Sequence, residues 1–149
     1  MVFFTREIYL GLQPCSGWER KAARQWLRSA KLYEQYLAAM APMLPPSVRR
    51  LCKQGLHDGV VQFAKLSGCE LVLVVDTTNA LSGFRGRQVR LTFHGVVGRF
   101  AVAKLVGQWW LYEEAHLRSG GRFCLSVMFD RTELDIEAEE LVIELLPKQ

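Results

Sequence analysis

Few residues in this chain are of a type and spacing suited to chemistry. His57 and Asp58 are adjacent, and an imidazole beside a carboxylate can exchange a proton near neutral pH. The pair could centre a metal-dependent or acid–base site if His94 or His116 joined it from neighbouring strands. It also has a structural reading: Asp58-Gly59 marks a turn, and either side chain can hydrogen-bond free backbone groups where a helix hands over to a sheet. The structural reading carries more weight, because the three histidines show no ligand spacing. Glu113 and Glu114 are consecutive, so on a strand they face opposite sides and cannot work as a carboxylate pair. Glu114 shares its side with Trp110, Tyr112 and His116, which is either a floor for a small polar ligand or a partly exposed sheet face.

Cys15, Cys52, Cys69 and Cys124 are widely spaced, with no CxxC pair, so a clustered zinc site is not expected. Free thiols in a reducing compartment are the better reading than two disulfides. Gly-x-Ser-x-Gly, the Walker loop and Gly-x-Gly-x-x-Gly are absent, and Phe84-Arg85-Gly86-Arg87 is a single basic unit. No catalytic residue, metal or cofactor is therefore assigned.

The clearest element is a helix. Ser16-Gly17-Trp18-Glu19 reads as a capping box, and the helix it opens runs to about Ala41, where Pro42 removes a donor. Trp18, Ala22, Trp26, Tyr33, Tyr36, Leu37 and Met40 form its core-facing arc. Arg20, Lys21, Arg24, Arg28 and Lys31 form the opposite arc, flanked by Leu27 and Leu32. Before it, Phe3 to Leu12 reads as a strand or a docking segment. After it, Pro45-Pro46-Ser47 opens a short helix over Val48 to Gln54, with Gly55 in a left-handed conformation behind it.

Beyond Gly59 the apolar period changes from 3.6 to 2. Strands are expected at Val60–Leu66, Glu70–Asp76, Gln88–His94, Arg99–Leu105, Gln108–Leu117, Arg122–Phe129 and Leu141–Leu146. Alternation is cleanest in Val89, Leu91 and Phe93 and from Phe123 to Phe129, whereas Leu71 to Val75 is apolar on both sides, as in a strand covered on both faces. Ser67-Gly68 and Ser119-Gly120-Gly121 are hairpin turns, and the intervals are too short for helical crossovers. These signals predict one α+β domain over residues 1–149, with the long amphipathic helix packed on a curved or barrel-like, meandering antiparallel sheet.

The composition agrees. Half of the 149 residues are apolar and 23% are charged, which excludes a disordered or low-complexity chain. There is no signal-peptide pattern, and Pro42, Pro45 and Pro46 interrupt the longest uncharged run, so a cytoplasmic protein without a membrane span is expected. The net charge of +4 is unevenly distributed. Residues 1–66 hold ten Lys/Arg and four Asp/Glu, a net +6; residues 67–129 are +3; residues 130–149 are −5. Either the acidic Glu133, Asp135 and Glu137 neutralise the helix within the fold, or the poles stay apart and the helix is free for an acidic partner.

Four segments resemble a family of uncharacterised bacterial proteins: Phe3-Phe4-Thr5-Arg6-Glu7-Ile8-Tyr9, Leu44-Pro45-Pro46-Ser47-Val48, Leu56-His57-Asp58-Gly59 and Trp110-Leu111-Tyr112-Glu113-Glu114. The family is a domain of unknown function, so the resemblance implies no catalytic residues. Leu-His-Asp leading into a sheet is also similar to a feature of small bacterial immunity proteins. The leading expectation is a non-catalytic interaction protein, immunity-type or regulatory, with Arg20, Lys21, Arg24, Arg28 and Lys31 contacting an acidic protein surface. The alternatives are an enzyme or metal-dependent module centred on His57 and Asp58, and weak nucleic-acid binding through the helix. The last is the weakest, because the helix aromatics lie on the face away from the cations.

Overall fold

The computed structural model describes residues 1–81, 83–98 and 100–147. The order is α1 (Arg6–Gly11), α2 (Glu19–Met40), α3 (Pro46–Gln54), β1 (Gly59–Ser67), β2 (Glu70–Asp76), β3 (Gln88–His94), β4 (Trp109–Leu117), β5 (Phe123–Phe129), β6 (Glu133–Ala138) and β7 (Glu140–Leu146). The strands form one antiparallel sheet in the order β6-β5-β4-β1-β2-β3-β7. This is the α+β architecture expected, except that the sheet does not close into a barrel. No helix among the described residues is long and apolar enough to cross a membrane.

The sheet is two blocks joined at a corner. β1 and β4 share only the pairs Gly59–Trp110 and Val60–Trp109, after which the strands run apart. Gly59 is required there, since a Cβ would stand 2.7 Å from Val75 Cγ1 and 2.8 Å from the Leu56 carbonyl. The outermost strands β6 and β7 are consecutive in the chain, with Glu139 alone between them. In a flat sheet of seven strands they would lie about 29 Å apart, yet Ala138 and Glu140 can be at most ~7 Å apart. The blocks therefore fold over on each other, and one apolar cluster draws Leu71, Leu73, Leu91 and Phe93 from one block and Trp110, Phe123, Leu125 and Phe129 from the other.

Several local expectations are corrected. Phe3 to Leu12 is not a strand: Met1 to Phe4 dock, and Arg6–Gly11 is a helix whose Thr5 hydroxyl accepts from the Ile8 N–H. Ser16 does not cap α2. Its hydroxyl donates to the Gly11 carbonyl, and the N-cap position is Trp18. Backbone N–H groups, its own first, hold the Glu19 carboxyl below its ordinary value, but Glu19 is the first residue of α2 and not the third, so the expected box does not form. α3 begins at Pro46, which places Ser47 inside its first turn. Gly55 does take a positive φ, 67°.

Of the strand expected at Arg99–Leu105, Arg99 lies outside the described residues, and Val102–Leu105 is a 3₁₀ turn that buries Leu105. The strand covered on both faces is β5, buried at every position from Phe123 to Phe129. In β2, Val72 and Val74 remain half-exposed. β5 reads as alternating because Cys124, Ser126 and Met128 form its second face, and a polar or sulfur-bearing side chain can be buried there.

Candidate functional site

β4 positions most of the polar chemistry, and a bulge decides how. Trp110 pairs with Phe129 but Tyr112 pairs with Met128, so one extra residue enters the strand between them. Residues three apart normally face opposite sides of a strand. The bulge instead brings Trp110 and Glu113 together, and Trp110 Nε1 donates to Glu113 Oε2 at 2.6 Å. Trp110 is thus removed from the side where Tyr112, Glu114 and His116 stand, correcting the grouping expected from alternation.

On that side Glu114 is fully buried and occupied. Its carboxylate accepts from the backbone N–H groups of Val2, Phe3 and Phe4 at 2.7, 2.8 and 2.6 Å, and lies 3.1 Å from His116 Nε2. Burial alone would raise its pKa, but the His116 contact and the three backbone donors outweigh burial and hold it below the usual carboxylate range. Glu114 therefore anchors the first residues of the chain, and Phe3 and Phe4 pack on Tyr33, Tyr36 and Trp26. The site expected for a small polar ligand is filled by the protein's own backbone.

Around the bulge, beside the docked N-terminal segment, opens a cleft of about 510 Å3. Phe4, Trp26, Tyr33 and Tyr112 supply its aromatic walls, and Cys52, His57 and Glu113 its titratable groups. The Tyr33 hydroxyl accepts from the Ala115 N–H at 2.8 Å and donates to Cys52 Sγ at 3.7 Å. Burial, and then the Cys52 charge, raise the Tyr33 pKa. Burial, followed by the Glu113 charge, pushes the Cys52 thiol up to about 12, so it is no nucleophile at neutral pH. Burial also pushes the Glu113 carboxyl up to about 7, with the Trp110 hydrogen bond opposing it.

His57 borders this cleft. Its Nδ1 lies 2.5 Å from the Leu111 carbonyl, which can only accept, so Nδ1 carries a proton and in the neutral ring the lone pair is at Nε2. Nε2 is 3.7 Å from Asp58 Oδ2. Asp58 has a φ of 64° and its N–H donates to the Trp110 carbonyl, the geometry of a turn residue at the start of β1. The other histidines have partners of their own, Glu70 for His94 and Glu114 for His116. Among the described residues no three His, Cys, Asp or Glu side chains come together as a metal would require.

The basic stripe is where the helix period predicted it. Arg20, Lys21, Arg24, Arg28 and Lys31 are all exposed on α2, and among the described residues none makes an ion pair. Of the acidic residues expected to meet the stripe, Glu133 pairs with Arg6 and Glu137 with Arg118 and Arg122, while Asp135 makes no ion pair among the described residues; Glu139 beyond them pairs with Arg122. Leu27 and Leu32, the residues flanking the stripe, are 69% and 47% exposed.

Sequence reasoning assigned Trp26 and Tyr33 to the core and gave Cys52 and Glu113 no role in a shared site. No spacing could bring them together, because residues from three elements meet through a one-residue bulge. A family model described as a protein of unknown function, DUF4085, matches residues 13–137. The matched span begins after the Phe3–Tyr9 motif and contains the other three segments noted above. No curated protein matches the chain.

Proposed function

From its membership of the DUF4085 family the chain inherits no activity, and we propose from its charge distribution that it is a non-catalytic interaction module binding an acidic protein surface through the outer face of α2. The observation that carries this is the pairing pattern. Two of the three β6 carboxylates, Glu133 and Glu137, are held by Arg6, Arg118 and Arg122, the third, Asp135, makes no ion pair with the stripe among the described residues, and the stripe keeps its charge. Arg20, Arg24 and Arg28 follow one another at i, i+4 spacing, where like charges each cost a helix about 0.2–0.5 kcal/mol. An acidic partner relieves that repulsion.

The exposed Leu27 and Leu32 beside the cations favour a protein over a nucleic acid. A protein contact combines apolar patches with a charged rim, whereas a nucleic-acid surface needs stacking rings beside its cations. On α2 the rings of Trp26, Tyr33 and Tyr36 turn inward onto Phe3, Phe4 and β4, which leaves Trp18, at the N-cap, as an exposed ring beside Lys21. An immunity-type or regulatory role is the finer form of this reading.

Affinity capture from native extract at low salt tests it, with the wild type beside the double variant R24E/R28E. The expected result is one stoichiometric acidic partner, retained by the wild type and lost by the variant. The variant should melt at the same temperature or slightly higher. Recovery of no stoichiometric partner, or equal retention by both proteins, overturns the reading.

A further inference from the structure

We propose that the cleft between α2, α3 and β4 is a binding site for a protonated amine carried on a small apolar body. This site is separate from the outer face of α2, and its test does not depend on that face.

The walls come first. Trp26 and Tyr112 have ring centroids 4.5 Å apart, Phe4 and Trp26 4.6 Å, and Phe4 and Tyr33 5.5 Å. Three separate segments contribute these rings to one lining, and aromatic faces attract cations as well as apolar groups. At about 510 Å3 the cleft is of small-molecule size.

The charge pattern is the second observation. The chain holds 19 Lys/Arg and carries +4, yet among the described residues none lining the cleft is a lysine or arginine. Among the same residues the one carboxylate in the lining is Glu113. Its Oε2 accepts from Trp110 Nε1, and among the described residues no hydrogen bond reaches Oε1. Glu113 is half-buried and Oε1 is no sealed orphan, so a carboxylate set among aromatic rings without a cationic partner is open to one that enters the cleft.

The acceptors then define the cation. In its neutral form His57 carries its proton on Nδ1 and presents a lone pair at Nε2, 3.7 Å from Asp58 Oδ2, so the cleft then offers two acceptors, Nε2 and Glu113 Oε1. The Tyr33 hydroxyl is occupied by Ala115 and Cys52. Two acceptors among aromatic rings suit the N–H groups of an ammonium, while too few hard donors converge to hold a metal ion. The titratable groups facing Glu113 are the Cys52 thiol from α3, the Tyr33 hydroxyl from α2, the Tyr112 hydroxyl from β4 and His57 from the loop before β1. Neither the thiol nor the two phenols ionise near neutrality, which leaves Glu113 and His57 to govern the charge there.

Such an amine is either a free molecule or a lysine side chain on a polypeptide. The test is calorimetric titration with phenethylammonium, its neutral isostere phenethyl alcohol, and a lysine capped at both ends. At about pH 8 phenethylammonium should bind about ten-fold more tightly than the alcohol, the size expected of a desolvated cation among rings. The preference should shrink at about pH 6, as Glu113 takes up its proton. Glu113→Gln should abolish the preference while leaving the weak alcohol binding in place. His57→Ala, a second variant at the other acceptor, should reduce amine affinity several-fold, so the result does not rest on one substitution. Tighter binding of the capped lysine assigns the amine to a polypeptide, and weaker binding assigns it to a free molecule. Equal affinities for amine and alcohol at about pH 8, or no saturable binding of any probe, overturn the proposal.

Discussion

Replacing Glu113 by glutamine should stabilise the protein, and by an amount that depends on pH. The carboxyl has an ordinary value of 4.5 and is pushed up to about 7 in the fold by burial. Below about pH 4.5 it is protonated whether the chain is folded or not, and it costs nothing. Between about 4.5 and 7 the unfolded chain gives up the proton while the folded chain keeps it. Stability therefore falls as pH rises through that window and levels off above it. At ~1.4 kcal/mol per pH unit the ceiling is about 3 kcal/mol. Water in the open cleft screens part of this, so ~1–3 kcal/mol is expected above about pH 8. The amide has no charge to desolvate, and its carbonyl can still accept from Trp110 Nε1. Urea unfolding of both proteins between about pH 5 and 9 is the assay, and the readout is their difference in stability. That difference should be about a quarter of its full size at about pH 5 and grow to its plateau by about pH 8. A difference that stays constant across the range would refute burial as the cause of the shift.

Other outcomes follow from the same geometry. Glu114→Gln turns amide hydrogens toward backbone donors, so it should cost about 2–4 kcal/mol in urea unfolding and speed hydrogen exchange at Val2, Phe3 and Phe4. Because the folded-state pKa of Glu114 is lowered, its contribution is present above about pH 4.5 and lost as pH falls through the lower folded value; Glu114→Gln should be the less acid-sensitive protein. Iodoacetamide should modify exposed Cys15 and Cys69 first and reach Cys52 only on unfolding, as followed by intact mass.

Much of the architecture was legible because it rests on period. The 3.6-residue repeat from Ala22 to Met40 placed both faces of α2, though Trp18, read into the same core-facing arc, is exposed at the N-cap, and the two-residue repeat placed β1 to β5 and β7 within one or two residues at each end. Phe100, Val102 and Leu105 mimicked a strand because each buries apolar surface from a turn, and apolar content alone does not reveal whether a ladder partner exists. The cleft was illegible for a different reason. Alternation assigns Trp110 to the side of Glu114, and one inserted residue reverses that assignment for everything before it. Bulges leave no mark in composition, so the contact between Trp110 and Glu113, and with it the chemistry of the cleft, appears only in three dimensions.

Glu139 has a consequence beyond topology. It alone separates Ala138, paired with Phe123, from Glu140, paired with His94. Its N–H is bound by the His94 carbonyl and its carboxylate by Arg122, which also holds the Gly95 carbonyl. A slip of one residue in either ladder would turn an entire strand inside out, and with so short a tether it would pull the other ladder out of alignment as well. The two edges thus proofread each other: misalignment at one is an error at both, and the chain is driven toward the single arrangement in which the two ladders agree.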